Sequence, residues 1–356
     1  MKKKKFLAML LSGCLMVSLL SGCGSSGESA DSGASDGGSD ASAAEESTAD
    51  SRTLTLASTL GSTTSIIQVS NEMSAAVKEA TGGAIDIQVF PDSTLGGQVD
   101  FLEGCFHGET VDMCIISAGA LEDFYDQYAL YSIPFLFRDA EHTYEFFQSE
   151  ASQAINDEFL NRTGMRVIGL FNEGFRQVWT KGKAVRSLAD FSGLKLRVPE
   201  VTLYINMFTA LGCSAQVLPV GDLYTGLQTG LVEGMELPIG SVYGASTYEQ
   251  VDYCTMTNHI GGAMMLLVNE SVWQSLTDEQ RTAILENVEI ASAQDRQNLE
   301  ELNDGYVADI AESGVEFIEL TDEARAEMVD AMNSVVSDLY GDVLDSSLLD
   351  SIRSME

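Results

Sequence analysis

Apolar and polar residues alternate one for one along Thr53–Ala57 and again along Ile85–Phe90, the period of a half-buried strand. Between them a polar turn, Ser58–Ser65, leads into a helix to about Ala80 that Gly82-Gly83 stops. Pro91–Gly97 reads as a loop, followed by a helix to about His107, a buried strand at Val111–Ile116 and a turn at Ser117–Gly119. The apolar loop Ile133–Phe137 reads as core packing. A single helix is expected from about Glu141 to Arg162, then a strand at Met165–Phe171 and a connecting stretch Asn172–Thr180. Beyond it come a strand at Leu194–Val198, a helix over Leu203–Leu211, a strand at Ala215–Val220, a helix near Leu223–Thr229 and a buried strand at Met264–Val268. Strands that alternate with helices predict α/β architecture with parallel strands.

The stretch Thr277 to Ser313 carries the longest helical pattern. Thr277 and Gln280 fit a capping box, no proline interrupts, and Gly314 can end the helix. Ile284, Val288 and Ala291, then Leu299, Leu302, Tyr306 and Ile310, fall on one stripe. At 1.5 Å per residue the helix would be about 55 Å long, whereas one lobe of such a chain is about 30 Å across. It is therefore expected to span two lobes, with a break at Gly305 as the alternative.

Composition narrows the partners. The chain has 356 residues, 45% of them apolar, and a formal charge of −35, which allows one or two domains with real cores and excludes nucleic acid and anionic lipid surfaces. Met1–Gly22 has Lys2–Lys5 and then an apolar run, Phe6–Leu20, too short to span a bilayer and so a secretory signal. The run ends in Leu20-Ser-Gly-Cys23, the pattern of a lipoprotein cleavage site with Cys23 lipidated. Leu11-Ser-Gly-Cys14 matches as well but leaves too short an apolar run before it. Residues 24–51 are mostly Ser, Gly, Ala and Asp, with almost nothing apolar, and read as a disordered acidic tether with a reach of about 30 Å. Such an anchor suits the outer face of a Gram-positive membrane. Cys105, Cys114, Cys213 and Cys254 are scattered and read as buried thiols. His107, His142 and His259 are isolated, so no metal site or cofactor is expected, and no enzyme motif is present. His259 reads as a structural or interface residue.

The candidate chemistry centres on Leu194–Glu200. Pro199 has no N–H to donate and stops the strand, which leaves Arg197 near a strand end, where open α/β sheets hold ligands. A guanidinium there grips a carboxylate with two parallel hydrogen bonds. Four blocks stand in register around it: Phe90–Gln98 (Phe-Pro-Asp-Ser-Thr-Leu-Gly-Gly-Gln), Gly174–Gln177 (Gly-Phe-Arg-Gln), Gly193–Pro199 and Tyr224–Pro238. From about residue 52 to 345 the chain resembles the extracytoplasmic solute-binding proteins of tripartite, ATP-independent periplasmic (TRAP) transporters.

That resemblance implies a two-lobed, periplasmic-binding-protein-like (Venus flytrap) fold, with residues 52–173 plus 263–302 in one lobe and 174–262 plus 303–350 in the other. It implies a monomer that is not an enzyme. Such a protein captures a small organic acid and delivers it to a permease of one small and one large membrane subunit, driven by an ion gradient. Arg197 matches the family's carboxylate anchor and Arg176 its second arginine. Thr59 and Ser117 would offer hydroxyls from the first lobe, Glu200 would accept from ligand hydroxyls, and Val220 and Leu237 would line the opposite wall. Three positions depart from the pattern: Leu237 stands where the family usually has asparagine, Ala120 where some sialic-acid binders have arginine, and Val220 where an aromatic residue is often found. Sialic acid is therefore not expected; because Glu200 would repel a second carboxylate, another monocarboxylate is expected, sugar acids first, with C4-dicarboxylates and aromatic or branched acids as alternatives. A sensor subunit that presents its ligand to a membrane kinase, or a secreted enzyme acting on acidic sugars, are the competing classes.

Overall fold

The computed structural model describes residues 51–355, so the expected leader, Cys23 and most of the tether lie outside the described residues. Ten strands form the framework: β1 Arg52–Ser58, β2 Ile85–Phe90, β3 Met113–Ser117, β4 Met165–Thr180, β5 Lys195–Val198, β6 Ser214–Val217, β7 Gly234–Pro238, β8 Tyr253–Met256, β9 Gly261–Asn269 and β10 Glu316–Glu319. They follow the order β2-β1-β3-β9-β4-β7-β5-β6, with β8 and β10 beside the far part of β4. The first half of β4 pairs with β9 and the second, from Arg176 on, with β7 and β8. One strand thus belongs to both sheets, and the fold is a two-lobed α/β structure.

Two expectations about strands are corrected here. Parallel pairing holds where strands and helices alternate (β1 with β2 and β3, β5 with β6 and β7) but not for β4 and β9. These two carry the chain out of the first lobe and back into it, so they run side by side in opposite directions. The stretch Asn172–Thr180 is not a connector but the second half of a 16-residue strand. What reads in the sequence as a strand end is a bulge. The register slips between Asn172 and Phe175, and Gly174 sits at φ 83, a left-handed conformation that glycine adopts without a Cβ clash.

A third correction concerns Glu141–Arg162, which forms two helices, Ala140–Gln148 and Glu150–Thr163. Ser149 lies between them in extended conformation, and its hydroxyl accepts the Ser152 N–H at the start of the second, an N-cap that satisfies an otherwise orphaned donor.

The long helix runs unbroken over Asp278–Glu312, through Gly305, and is about 52 Å long. Thr277 Oγ1 accepts the Gln280 N–H at 3.2 Å while Gln280 Oε1 accepts the Thr277 N–H at 2.9 Å, a reciprocal cap. Near its start Ile284, Val288 and Ala291 pack with Leu56, Ile115 and Leu266 of the first sheet. Near its end Ile310 packs with Trp179, Met235 and Leu237 of the second. Two further helices, Asp322–Tyr340 and Ser346–Ser354, close the back of the molecule. Tyr340 Oη donates to Glu122 at 2.9 Å and the Ile352 carbonyl lies 2.8 Å from His142 Nε2, while Met328 and Met332 join the same core as Leu203 and Phe208. All four cysteines of the folded part are buried and unpaired.

Candidate ligand-binding cleft

A cleft of about 590 Å³ opens between the two sheets, and all seven residues singled out from the sequence line it: Thr59, Ser117, Arg176, Arg197, Glu200, Val220 and Leu237. Thr59 follows β1 and Ser117 ends β3. Neither hydroxyl makes a hydrogen bond to another described residue, so both are free to bond a ligand. Leu237 is buried in β7 and its carbonyl accepts the Trp179 indole N–H at 2.9 Å. Val220, at the start of a short helical turn, is half-buried, and Glu200 stands exposed at the rim just past Pro199.

Arg197 is the least satisfied charge. It is 4% exposed, and its Nε donates to the Leu218 carbonyl at 2.8 Å. Among the described residues no carboxylate forms a salt bridge with it and neither terminal nitrogen finds an acceptor. Burial pulls its pKa down to about 10, against the pull of Glu236 in the other direction, so at neutral pH it remains a cation without a resident counter-ion.

Arg176 is placed differently from expectation. It lines the cleft, but its fork is already occupied. Nε meets Glu236 Oε2 at 2.5 Å, and Nη2 meets Glu236 Oε1 at 2.8 Å and the Glu236 carbonyl at 2.9 Å. The reason is strand register. Val178 stands opposite Glu236 across β4 and β7, so Arg176, two residues along on the same face, is its diagonal neighbour. Glu236 has no exposure. Burial alone would push its carboxyl up, but the Arg176 charge, the His259 ring beside it and the Arg176 hydrogen bonds outweigh that and bring it to about 2. The Tyr204 ring lies 5.2 Å from the Arg176 guanidinium.

His259 sits behind this pair, fully buried. Its Nδ1 is 2.8 Å from Thr257 Oγ1 and its Nε2 is 3.5 Å from Glu236 Oε2, too long for a good hydrogen bond. Burial lowers its pKa, which makes it a neutral, structural residue at pH 7. His142 bonds backbone at the rear of the molecule and His107 ends a helix. Among the described residues no cluster suited to a metal ion occurs.

Among the cleft residues that sequence reasoning missed, Glu173 and Ser241 form a polar pair. Ser241 Oγ donates to Glu173 Oε1 at 2.9 Å. Glu173 occupies the bulge of β4, directly before Gly174, and withdrawal from water raises its pKa while the neighbouring Arg176 pulls it down. The bulge signal is the Glu-Gly pair inside an apolar strand, three residues before the second arginine.

The model of the family described as bacterial extracellular solute-binding protein, family 7 (DctP) matches residues 56–342. A solute-binding protein of Roseobacter denitrificans is 29% identical over 270 residues, 75% of this chain and 81% of the relative. The C4-dicarboxylate-binding periplasmic protein DctP of Vibrio cholerae is 30% identical over 279 residues, 76% and 82% of the two chains. Among solved structures, a TRAP periplasmic solute binding protein from Roseobacter denitrificans with bound L-galactonate superposes with a TM-score of 0.78 at 26% identity, covering 85% of this chain and 98% of the other. One from Bradyrhizobium in complex with D-galacturonate gives 0.80 at 26% identity, covering 85% and 100%.

Proposed function

The chain belongs to family 7 of the bacterial extracellular solute-binding proteins, and on that premise we propose that it captures a small monocarboxylic acid at Arg197 and delivers it to a TRAP-type permease of one small and one large membrane subunit, driven by an ion gradient. Members of this family are extracytoplasmic binding proteins and not enzymes. The observation that carries the reading is Arg197, a buried guanidinium whose terminal nitrogens have no acceptor among the described residues, in a cleft where no carboxylate pairs with it. A carboxylate seated there regains for the arginine the bonds that burial removed. Arg176, with its fork held by Glu236, offers only its remaining Nη1 edge and positive field.

Thr59 and Ser117 come from the first lobe and Arg197 from the second, so a ligand that touches both favours the closed form. In this reading the lobes divide at the β4 bulge, residues 52–173 plus 263–302 against 174–262 plus 303–350. The acids bound by the two solved relatives, L-galactonate and D-galacturonate, are hydroxylated and carry one carboxylate each, which supports a sugar acid. Glu200 and Glu173 on the cleft wall disfavour a second carboxylate. Leu237, without donor or acceptor, favours a C–H face at that wall. We assign anchoring to a lipidated Cys23, with the acidic stretch after it as tether.

The test is a melting assay across uronates, aldonates, aromatic acids, keto acids and C4-dicarboxylates. An acid at a thousandfold over its dissociation constant adds about 4 kcal/mol of stability. Arg197→Ala should abolish the shift for every acid, and Arg197→Lys should restore little, since an ammonium lacks the planar fork. A shift that survives Arg197→Ala, or one given by a C4-dicarboxylate alone, would overturn the reading.

A further inference from the structure

Glu173 has a position that the anchoring of a carboxylate does not require. The β4 bulge that carries it is built from several directions. The Asn172 N–H donates to the buried Asp295 Oδ2 at 2.9 Å, and Asn172 Oδ1 accepts the Gly174 N–H at 2.7 Å. On β9, residue 262 must be small for the bulge to approach: a Cβ on Gly262 would lie 2.6 Å from the Gly174 carbonyl oxygen and 2.9 Å from Glu173 Cβ. The Glu173 side chain lines the cleft together with Arg176 and Arg197.

Its two oxygens are used unequally. Oε1 accepts from Ser241 Oγ, a residue of the helix Ile239–Gly244 on the second lobe. Oε2 has no donor among the described residues. Arg176, the closest cation by chain position, gives its fork to Glu236, and Arg197 bonds a backbone carbonyl. A fixed acceptor that neither arginine takes up, next to the carboxylate anchor, is suited to a neutral donor on the ligand and repels a second anion.

Resting on the carboxylate reading of Arg197, we infer that Glu173 is a specificity-determining residue, whose free oxygen accepts a hydrogen bond from a hydroxyl on the carbon next to the ligand's carboxylate. The ligand class is thereby narrowed to 2-hydroxy monocarboxylic acids. Because the partner of Oε1 comes from the second lobe, the acceptor is aimed best when the cleft is closed around its ligand.

The experiment measures dissociation constants by calorimetry for matched pairs that differ by the 2-hydroxyl alone: D-gluconate with 2-deoxy-D-gluconate, mandelate with phenylacetate, and 2-hydroxyisovalerate with isovalerate. A hydrogen bond to a charged acceptor predicts that the hydroxy member binds roughly tenfold or more tightly. Glu173→Ala should erase that ratio while the deoxy members keep their affinity within a few-fold. Glu173→Gln, which preserves the shape and the Ser241 contact, should lose most of it. Equal affinity within the pairs in the native protein, absence of binding by all six acids, or an undiminished ratio in both variants would overturn the inference. Loss of all acid binding in Arg197→Ala, with an undiminished ratio in the Glu173 variants, would leave the carboxylate reading standing and remove this one alone.

Discussion

Glu236 offers the most demanding test of how the cleft is held together. In Glu236→Ala the Arg176 guanidinium, 5% exposed, loses both carboxylate bonds and remains charged with little access to water. Breaking one partner of a buried pair costs about 3–5 kcal/mol, because the other charge is left uncompensated. A second route gives a similar size. The Glu236 carboxyl is lowered from its ordinary 4.5 to about 2, which corresponds to about 3 kcal/mol of folding stability. For a fold of roughly 300 residues each kcal/mol moves the melting temperature by about 1.5 °C, so the variant should melt about 5–8 °C lower. The sign with pH follows from the lowered pKa. The contribution is fully present above pH 4.5 and is lost as pH falls from 4.5 through 2, so native and variant curves should converge in acid. Differential scanning calorimetry at pH 7 and along that range measures both. Because the pair is buried, the loss should persist in high salt. Replacing both partners by apolar residues, Arg176→Met with Glu236→Leu, should recover most of it. A single variant that melts within a degree of the native protein, or a loss that salt removes, would refute the buried-pair account.

Two other predictions concern the long helix and the anchor. Burial raises the carboxyl of Asp295, on the long helix, to about 6, so its charging costs stability as pH rises from about 3.8 through 6; Asp295→Asn keeps an acceptor for the Asn172 N–H, should melt a few degrees higher at pH 7 and should flatten the curve between pH 4 and 6 in calorimetry. Cys23→Ser should leave the protein without a diacylglyceryl group, and mass spectrometry that finds the group on the variant would remove the anchor assignment.

How much of this was legible in the sequence depended on whether the cause was local. The strand Ile85–Phe90 and the helix Leu223–Thr229 match their expected bounds, because alternation defines the one and Gly230, at φ 76, stops the other. The Thr277 capping box is likewise local, spanning the four residues Thr277–Gln280, and it announced a 35-residue helix. Arg197 stood out because Pro199 marks the strand end beside it. Glu236 could not be read as a partner of Arg176, since 60 residues separate them and only the β4–β7 register brings them together. The bulge at Glu173 was read as a strand end for the same reason. Its glycine interrupts the pattern locally, while the continuity of β4 is imposed by β7 and β9. Ser149 was read through because a serine inside a helical pattern and a serine that caps a new helix look alike until the backbone is seen.

The register also explains why one arginine is neutralised and the other is left without a carboxylate partner, as the proposed ligand anchor requires. On β7, Met235 and Glu236 are consecutive and point to opposite faces of the sheet. Val178 of β4 stands opposite Glu236, which places Arg176 on the face of the carboxylate. Arg197 of β5 stands opposite Met235, on the other face from Glu236, so it feels that charge without forming a salt bridge to it. The two guanidinium groups therefore line one cleft yet differ in partner: Arg176 is clamped by a carboxylate, and Arg197 has a backbone carbonyl that carries no net charge. A resident carboxylate on Arg197 would compete with any acid that enters, and the ligand would have to displace it. With Leu218 as its sole described partner, Arg197 keeps its terminal nitrogens open. If Arg197 anchors the ligand as proposed, the desolvation that lowers its pKa would be offset by the bound anion, so the cost of burying that charge alone would become part of the affinity.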